Sequence, residues 1–202
     1  RLKLGFTTYN SISDAKTVLE EEGNSSLFNT VYKYLPTVNI RNEDGTFREN
    51  YGAASYNPVA LIEQNLGEHR SKSFMGAANA ELNIMKGLDY SIRASYSNGQ
   101  SLGNSYMYQG SRLALSSNGL AVRNAFESES KLLETFASYD KGFGEHDVKL
   151  LVGYSWEESV SGNGFQTSSS NFVSDATLYY NLGMGNNYEG FVPNYGTTAI
   201  TT

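Results

Sequence analysis

A strict two-residue alternation of apolar and polar side chains constrains this chain more than any other feature. Between Ser73 and Asn98 one set of alternate positions is apolar or small: Phe74, Gly76, Ala78, Ala80, Leu82, Ile84, Leu88, Tyr90, Ile92, Ala94 and Tyr96. The intervening positions are mainly polar, and a turn signal lies at Lys86-Gly87. This period is that of an antiparallel hairpin with two unlike faces.

A second hairpin is predicted from about Lys131 to Glu158. On its ascending arm His146, Val148, Leu150, Val152, Tyr154 and Trp156 alternate with Asp147, Lys149, Gly153, Ser155 and Glu157. The opening Leu2, Leu4 and Phe6 repeat the pattern. We therefore predict strands at about residues 1–10, 70–85, 88–98, 130–141 and 146–158.

The lengths of the connections indicate where such strands belong. Two turns are short, whereas the segments 11–68, 99–128 and 159–202 are long and all lie at the same end of the strands. Short turns on one side and long loops on the other are typical of outer-membrane barrels. Tyr96, Tyr154 and Trp156 lie near the loop ends, where an aromatic girdle is expected. A soluble β-sandwich that buries the same apolar faces remains the alternative.

The long loops contain helix signals. Ser13-Asp14 is a predicted helix cap, and the apolar residues of segment 27–35 have helical spacing. Asn57 is the predicted N-cap of a helix over Val59–Leu66, with Pro58 in its first turn. Asn42-Glu43-Asp44-Gly45 indicates a tight turn between two short strands, which explains Asp44 better than a calcium site does.

Composition excludes several classes of function. The net charge of −6 argues against nucleic acid as a partner, and the absence of Cys excludes thiol chemistry. His69 and His146 lack metal-ligand spacing, and no nucleotide-binding or catalytic motif occurs. Glu157 and Glu158 point to opposite faces of a strand and so cannot flank one bond. We expect no enzyme activity, catalytic residue, metal site or cofactor.

Several short motifs occur in an order that resembles SusC/RagA-type TonB-dependent transporters of Bacteroidetes outer membranes. They are Arg41-Asn42-Glu43-Asp44-Gly45-Thr46, Asn57-Pro58-Val59-Ala60, Ser138-Tyr139-Asp140-Lys141-Gly142-Phe143-Gly144, His146-Asp147-Val148, Val152-Gly153-Tyr154, Asn171-Phe172-Val173-Ser174-Asp175 and Tyr180-Asn181-Leu182-Gly183. The resemblance covers essentially the whole chain. Gly142 departs from it, because the family more often carries Thr there.

The resemblance implies an all-β fold: antiparallel strands from the middle of a 22-stranded transmembrane barrel, with long external loops that contain short helices and without the plug domain. It implies part of the wall and external vestibule of an importer of oligosaccharides or peptides in the bacterial outer membrane. The implied partners are outer-membrane lipid, a SusD-like surface lipoprotein and, through the family's N-terminal part, the TonB complex.

Two groups of residues are candidates for function. The polar positions expected to face the barrel lumen or the plug are Asn79, Glu81, Asp89, Arg93, Lys149 and Glu157. The loop aromatics that are candidate substrate or lid contacts are Tyr106, Tyr108, Tyr188, Phe191 and Tyr195. The alternatives are a solvated sheet face for the first group and packing within the loops, which we favour, for the second.

Overall fold

The computed structural model describes residues 1–18, 27–49, 56–194 and 197–201. The strands in these segments form one antiparallel sheet. Its strands are β1 (Leu2–Val18), β2 (Asn65–Met85), β3 (Leu88–Met107), β4 (Leu120–Phe143), β5 (His146–Phe172), β6 (Gly185–Asn194) and β7 (Thr197–Thr201). Strands β1 to β6 form a meander, in which each strand pairs with the next. Strand β6 pairs with the C-terminal part of β5, from Gly164 onward, and β7 pairs with residues Glu157–Ser161 of β5.

The register of the sheet assigns each side chain to one of two faces, because residues that pair across neighbouring strands point the same way. One row contains Leu4, Ala80, Ile92, Thr135 and Tyr154, and the next contains Phe6, Ala78, Ala94, Leu133 and Trp156. We call this side the apolar face. The opposite side, which carries Lys3, Glu81, Arg93 and Lys149, is the polar face.

The apolar face is not covered by a second layer among the described residues. Leu82 is 42% exposed, Ile92 36%, Leu150 59% and Val152 60%. The buried hydrophobic side chains instead lie at the loop end of the sheet: Ala60, Leu61, Tyr106, Ala114, Ala121, Phe172 and Tyr179. The described part of the chain therefore builds no sandwich core from the alternating positions.

The strands extend well beyond the predicted bounds. β3 continues to Met107 and β4 begins at Leu120, so most of the predicted loop 99–128 is sheet. Similarly, β5 continues to Phe172, into the predicted loop 159–202. The reason is that both faces become polar beyond Tyr96, as in Asn98-Gly99-Gln100-Ser101, so the apolar alternation ends while the backbone ladder continues.

The first loop is also shorter than expected. β1 extends to Val18 and β2 begins at Asn65, which leaves less than the predicted loop 11–68. The predicted helix cap at Ser13-Asp14 is wrong, because both residues lie in β1, where Asp14 pairs with Arg70. The remainder of that predicted helix falls largely on residues 19–26, which lie outside the described residues.

The other local predictions are confirmed with small changes. Helix α1 (Leu27–Lys33) occupies the segment with helical spacing, and Asn57 caps α2 (Pro58–Glu63), which ends early because Asn65 opens β2. The turn at Asn42–Gly45 closes with a bond from Gly45 N–H to Asn42 O at 3.0 Å, but only one bridge flanks it. None of the described helices has the length and apolarity needed to cross a bilayer.

Both hairpin turns contain two residues, and each needs one glycine in the left-handed region. Gly87 has a φ of 87° and Gly144 a φ of 66°. They differ in their surroundings. A Cβ on Gly87 would overlap the carbonyl oxygen of Asp140, whereas a Cβ on Gly144 would meet nothing within 4 Å.

We expect Gly87→Ala to reduce the free energy of unfolding by about 2–4 kcal/mol, since it combines left-handed strain with a clash against a backbone carbonyl. Gly144→Ala is the matched control and should cost only about 1 kcal/mol. Urea unfolding midpoints of the two variants and the parent test the difference. Equal midpoints would show that the contact with Asp140 does not restrict this turn.

Candidate functional site

The six polar residues predicted to act together lie on one face of the sheet. Asn79 pairs directly with Arg93, and Asp89 pairs with Asn83 two positions further along that face. Glu81 pairs with Lys3, Lys149 with Asp140 and Glu157 with Leu132. Alternation along the strands places all of these side chains on the polar face. The structure thus brings the predicted set together on a single surface.

Charges on the polar face are largely paired with their neighbours. Lys3 Nζ lies 3.1 Å from Glu81 Oε2, Arg93 Nη1 3.5 Å from Glu134 Oε2, and Lys149 Nζ 3.3 Å from Asp140 Oδ2. Asn83 Nδ2 donates to Asp89 Oδ1 at 2.8 Å. Exposed pairs of this kind contribute only about 0–1 kcal/mol each, so their main effect is a hydrated, charge-balanced surface rather than stability.

The large apolar residues Phe136 and Leu151 also lie on this face, and the sequence analysis did not place them there. Phe136 pairs with Gly153 and its ring occupies the space that a Cβ at Gly153 would need. Leu151 is exposed beside it, one pair nearer the turn. The run Leu150-Leu151-Val152 breaks the alternation and was the available signal. These residues give the polar face a local apolar patch.

The apolar face has a defined height. On β3 its continuous apolar positions run from Leu88 to Tyr96, which is nine of the strand's 20 residues. A transmembrane β-strand needs about 9–11 residues. In the row of Tyr96, at the end of this run, Lys131 Nζ lies 2.6 Å from Glu129 Oε1 and 3.7 Å from Glu158 Oε2 on the same face. The apolar band therefore has the height of a hydrocarbon layer and ends in charge.

The predicted aromatic girdle lies at this boundary, but not at the strand ends. Trp156 pairs with Leu133 and Tyr154 with Thr135, while Tyr96 pairs with Lys131. All three strands continue past these positions. The expectation that the aromatics mark the start of the loops is therefore wrong, since the ladder extends past them.

Asn57 organises the loop that joins β1 to β2. Its Oδ1 accepts from the N–H groups of Val59 and Ala60 at 3.0 and 3.3 Å, and its Nδ2 donates to the carbonyls of Ile40 and Arg48 at 2.7 and 3.1 Å. The residue is fully buried. One side chain thus satisfies four backbone groups and joins α2 to the segment that contains the 42–45 turn.

The same loop is fastened to the β3–β4 connection. Arg112 Nη1 lies 3.6 Å from Glu49 Oε2, with side chains only 18% and 13% exposed, and its guanidinium stacks on Tyr56 at 4.4 Å. Ser111 Oγ donates to Asn65 Oδ1 at 2.7 Å. We call the ensemble of α1, the 41–47 turn, α2 and the 108–114 segment the outer loop cluster. It is a folded surface at the loop end of the sheet.

A second small core lies at this end, and it explains two of the candidate aromatics. Tyr106 is fully buried, packs against Phe172 at 5.3 Å and Tyr108 at 5.4 Å, and donates to Asp175 Oδ1 at 2.8 Å. Tyr106 is therefore inaccessible from solvent, and its contacts are those of a side chain that packs within the loops. Tyr179 donates to Glu68, and burial together with that carboxylate raises the pKa of Tyr179, which keeps it a donor.

The remaining candidate aromatics are Tyr188, Phe191 and Tyr195. Tyr188 is exposed, its hydroxyl accepts from Thr167 Oγ1 at 2.8 Å, and its pairing with Ser169 places it on the side continuous with the apolar face. Phe191 lies in β6. Tyr195 lies outside the described residues. A role of Tyr188, Phe191 and Tyr195 as substrate or lid contacts stays a prediction.

Helix α1 presents apolar side chains outward. Phe28 is 86% and Tyr32 91% exposed, and Val31 and Leu35 are more than half exposed. Thr30 is the residue of this helix that is buried. We call Phe28, Val31, Tyr32 and Leu35 the α1 patch. Exposed apolar patches of this kind commonly mark interaction surfaces.

The described titratable residues form no cluster of the metal-binding kind. Among the described residues, no group of three or more His, Cys, Asp or Glu side chains is close enough to hold a metal ion. His69 lies in β2 and His146 at the start of β5, and both are exposed.

No protein-family model matches the chain. The TonB-dependent receptor P3 of Formosa agariphila is 25% identical over 191 residues, which cover 90% of this chain and 19% of that protein. A structure of the RagAB peptide transporter matches 98% of this chain and 22% of its own, with a TM-score of 0.68 and 19% identity. The RagAB peptide importer in its closed-closed state matches with a TM-score of 0.69 and 19% identity, over 99% of this chain and 22% of its own.

These similarities confirm the resemblance to SusC/RagA-type barrels, the predicted fold class and the outer-membrane localisation. The chain spans about a fifth of the length of these relatives. They carry the names of a receptor and a transporter rather than of an enzyme. The number of 22 strands stays a prediction.

We expect Asn57→Ala to loosen the outer loop cluster by about 3 kcal/mol, since it removes the helix cap and one hydrogen bond to each of the carbonyls of Ile40 and Arg48. Asn57→Asp keeps the cap and should cost less. Asn181→Ala is the control, because Asn181 is exposed and caps a single N–H group. Hydrogen exchange at Val59 and Ala60 measures the change, and equal exchange in the Asn57→Ala and Asn181→Ala variants would contradict it.

Proposed function

We propose that this chain forms part of the barrel wall and external vestibule of a TonB-dependent importer that moves oligosaccharides or peptides across the outer membrane. The observation that carries the proposal is the uncovered apolar face, whose height equals that of a hydrocarbon layer and which ends at the charged group of Lys131, Glu129 and Glu158. A surface of this kind is stable against acyl chains and unfavourable in water.

Barrel closure would satisfy the open backbone groups of the sheet. Within the described residues β1 pairs on one edge only, and β5 lacks a second neighbour before Glu157. In hydrocarbon each unpaired backbone group costs several kcal/mol, so further strands must cover both edges. A barrel of the 22-stranded class would supply them and would leave a lumen wide enough for a plug.

In this arrangement the polar face lines the lumen. Asn79, Glu81, Asp89, Arg93, Lys149 and Glu157 contact the plug or the passing solute, and Phe136 with Leu151 adds an apolar contact point. Three ion pairs on this face place charges of both signs side by side, which suits the passage of neutral or zwitterionic solutes better than that of a strongly charged one.

The names of the relatives support the direction of transport and the partners that we propose. One is named a TonB-dependent receptor and the others a peptide transporter and importer, so a peptide is the substrate that their names favour for this chain. The TonB complex would act through another part of the protein, and a SusD-like lipoprotein would cover the outer loop cluster. The chain contributes shape and surface and no catalysis.

A soluble sandwich is the second candidate, and one observation separates the two. A sandwich requires the apolar faces of two sheets to bury each other at about 10 Å. The described strands instead form a single sheet with its apolar face open.

We expect Ile92→Arg to destabilise the protein folded into lipid vesicles by about 2–4 kcal/mol, because position 92 lies in the middle row of the apolar band. Ser91→Arg is the matched control, since it adds the same charge at the same height on the polar face. It should cost less than about 1 kcal/mol. Unfolding of both variants from vesicles measures the costs. Similar penalties for the two would reject the assignment of the faces.

We expect Tyr32→Asp combined with Phe28→Asp to reduce co-purification of a SusD-like lipoprotein with the full-length protein by about thirtyfold or more, because the loss of one buried aromatic hot spot costs about 2 kcal/mol. Val173→Asp, an exposed apolar position at the same end of the sheet, is the control and should have no effect. Unchanged recovery in the double variant would exclude the α1 patch as the contact for the lipoprotein.

A further inference from the structure

The apolar face does not end with the strands; it changes character. Beyond Tyr96 the register of β2, β3 and β4 continues without a shift, so the positions that follow lie on the same side of the sheet. The pairing of β4 with β5 contains one bulge, between Glu127 and Glu129. Glu127 pairs with Asn163, so beyond the bulge Asn163 and every second residue after it lie on this side. We call the positions beyond Tyr96 on this side the outer polar band. Its charged and amide residues include Asn10, Asp14, Lys16, Glu68, Arg70, Lys72, Asn98, Gln100, Asn104, Arg123, Glu127, Glu129 and Asn163.

The outer polar band contains a cleft of about 490 Å³. Leu102, Ala125 and Phe165 pair in one row across β3, β4 and β5, and they form an apolar floor. The neighbouring row supplies a polar wall of Lys72, Gln100, Glu127 and Asn163. The cleft therefore combines an apolar floor with one ammonium group, one carboxylate and two amides.

Arg70 closes the cleft on the β2 side and is held in place. Its Nε and Nη2 donate to the two carboxylate oxygens of Asp14 at 2.5 and 2.9 Å. Glu127 Oε1 accepts from Asn98 Nδ2 at 3.0 Å, which fixes the acidic wall. Lys72 is exposed between these two fixed groups. The ammonium group of Lys72 therefore faces solvent beside the apolar floor.

This combination fits a phosphorylated sugar. The apolar side of a pyranose ring packs against aromatic and aliphatic carbon, its hydroxyl groups pair with amides and carboxylates, and its phosphate binds an ammonium or guanidinium group. The position fits the same ligand. The cleft lies on the lipid side of the sheet, two rows beyond the Lys131 pairs that end the apolar band, where the sugars and phosphates of the outer leaflet lie.

We propose that this cleft binds the phosphorylated inner sugars of lipopolysaccharide and thereby anchors the outer polar band in the glycolipid layer. The proposal rests on the proposed function, which sets the apolar face toward lipid. The acidic residues of the band balance its cations, so recognition is local to Lys72 and its amide neighbours and does not arise from a basic surface.

The test uses the full-length protein that carries this segment, purified in detergent, with lipid A bearing two core sugars as the probe. Lys72→Glu should weaken binding of the probe about tenfold, which corresponds to the loss of one charge-assisted hydrogen bond. Ser73→Glu is the matched control, because it places the same charge next along β2 on the opposite face and should leave binding unchanged. Phosphatidylglycerol and inorganic phosphate serve as competitors and should displace the probe poorly.

Photocrosslinking separates this proposal from the proposed function. A benzophenone amino acid at Ile92 reports lipid contact, one at Gln100 reports glycolipid in the cleft, and one at Ser101 reports the opposite face. Crosslinks to lipid at Ile92 and to lipopolysaccharide at Gln100 but not at Ser101 support the inference. Lipid at Ile92 with no lipopolysaccharide at Gln100 overturns it and leaves the barrel intact, whereas no lipid at Ile92 overturns both. Equal binding by Lys72→Glu and Ser73→Glu, or equal displacement by phosphatidylglycerol, also overturns it.

Discussion

The continuous antiparallel ladder is the constraint on which the rest of this structure depends. From β1 to β5 each strand pairs with its neighbour in sequence, and register shifts are confined to the turn at Asn83/Met85 and the bulge near Glu127. Because side chains alternate with a period of exactly two, the position of one residue then determines the side of nearly all the others. A single sheet can thus separate a lipid-like surface from a charged one without a core between them.

This separation explains an unusual balance of energies. The described strands bury few large hydrophobic side chains, and those that they bury lie at the loop end around Tyr106 and Phe172. In water the exposed band of Leu82, Ile92 and Leu150 would oppose folding. In hydrocarbon the same band costs nothing, and every unpaired backbone group becomes expensive instead. The ladder therefore contributes most of the stability when the surrounding medium is lipid.

The sequence predicted the faces but not the lengths of the strands. Alternation is visible only where one face is apolar, as between Phe74 and Tyr96, and it disappears where both faces are polar, as in Asn98–Ser101. Pairing between strands is a property of two backbones, and no single segment encodes it. The helix cap at Asn57 was predictable because its side chain bonds to groups two and three residues away.

The candidate residues divide in the same way. The six polar-face residues could be assigned to one face from the alternation of side chains along each strand, so local reasoning was sufficient to place them together. Tyr106 could not be assigned in this way, because its burial depends on Phe172 and on Asp175, which is 69 residues away. Phe136 was missed for a different reason. Its ring lies over Gly153 on the adjacent strand and fills the space that a side chain there would occupy, and this pairing is visible only in the structure.

The excess length of the strands has a geometric consequence for the loops. β3 continues 11 residues beyond Tyr96, and at about 3.3 Å per residue and a tilt of roughly 45° this raises its end about 25 Å above the hydrocarbon boundary. Lys131, Glu129 and Glu158 mark where that boundary lies. The outer loop cluster is then held clear of the hydrocarbon by rigid sheet rather than by flexible chain. A surface held in this way can meet a large partner above the membrane, while the sides of the same strands contact the glycolipid layer below it.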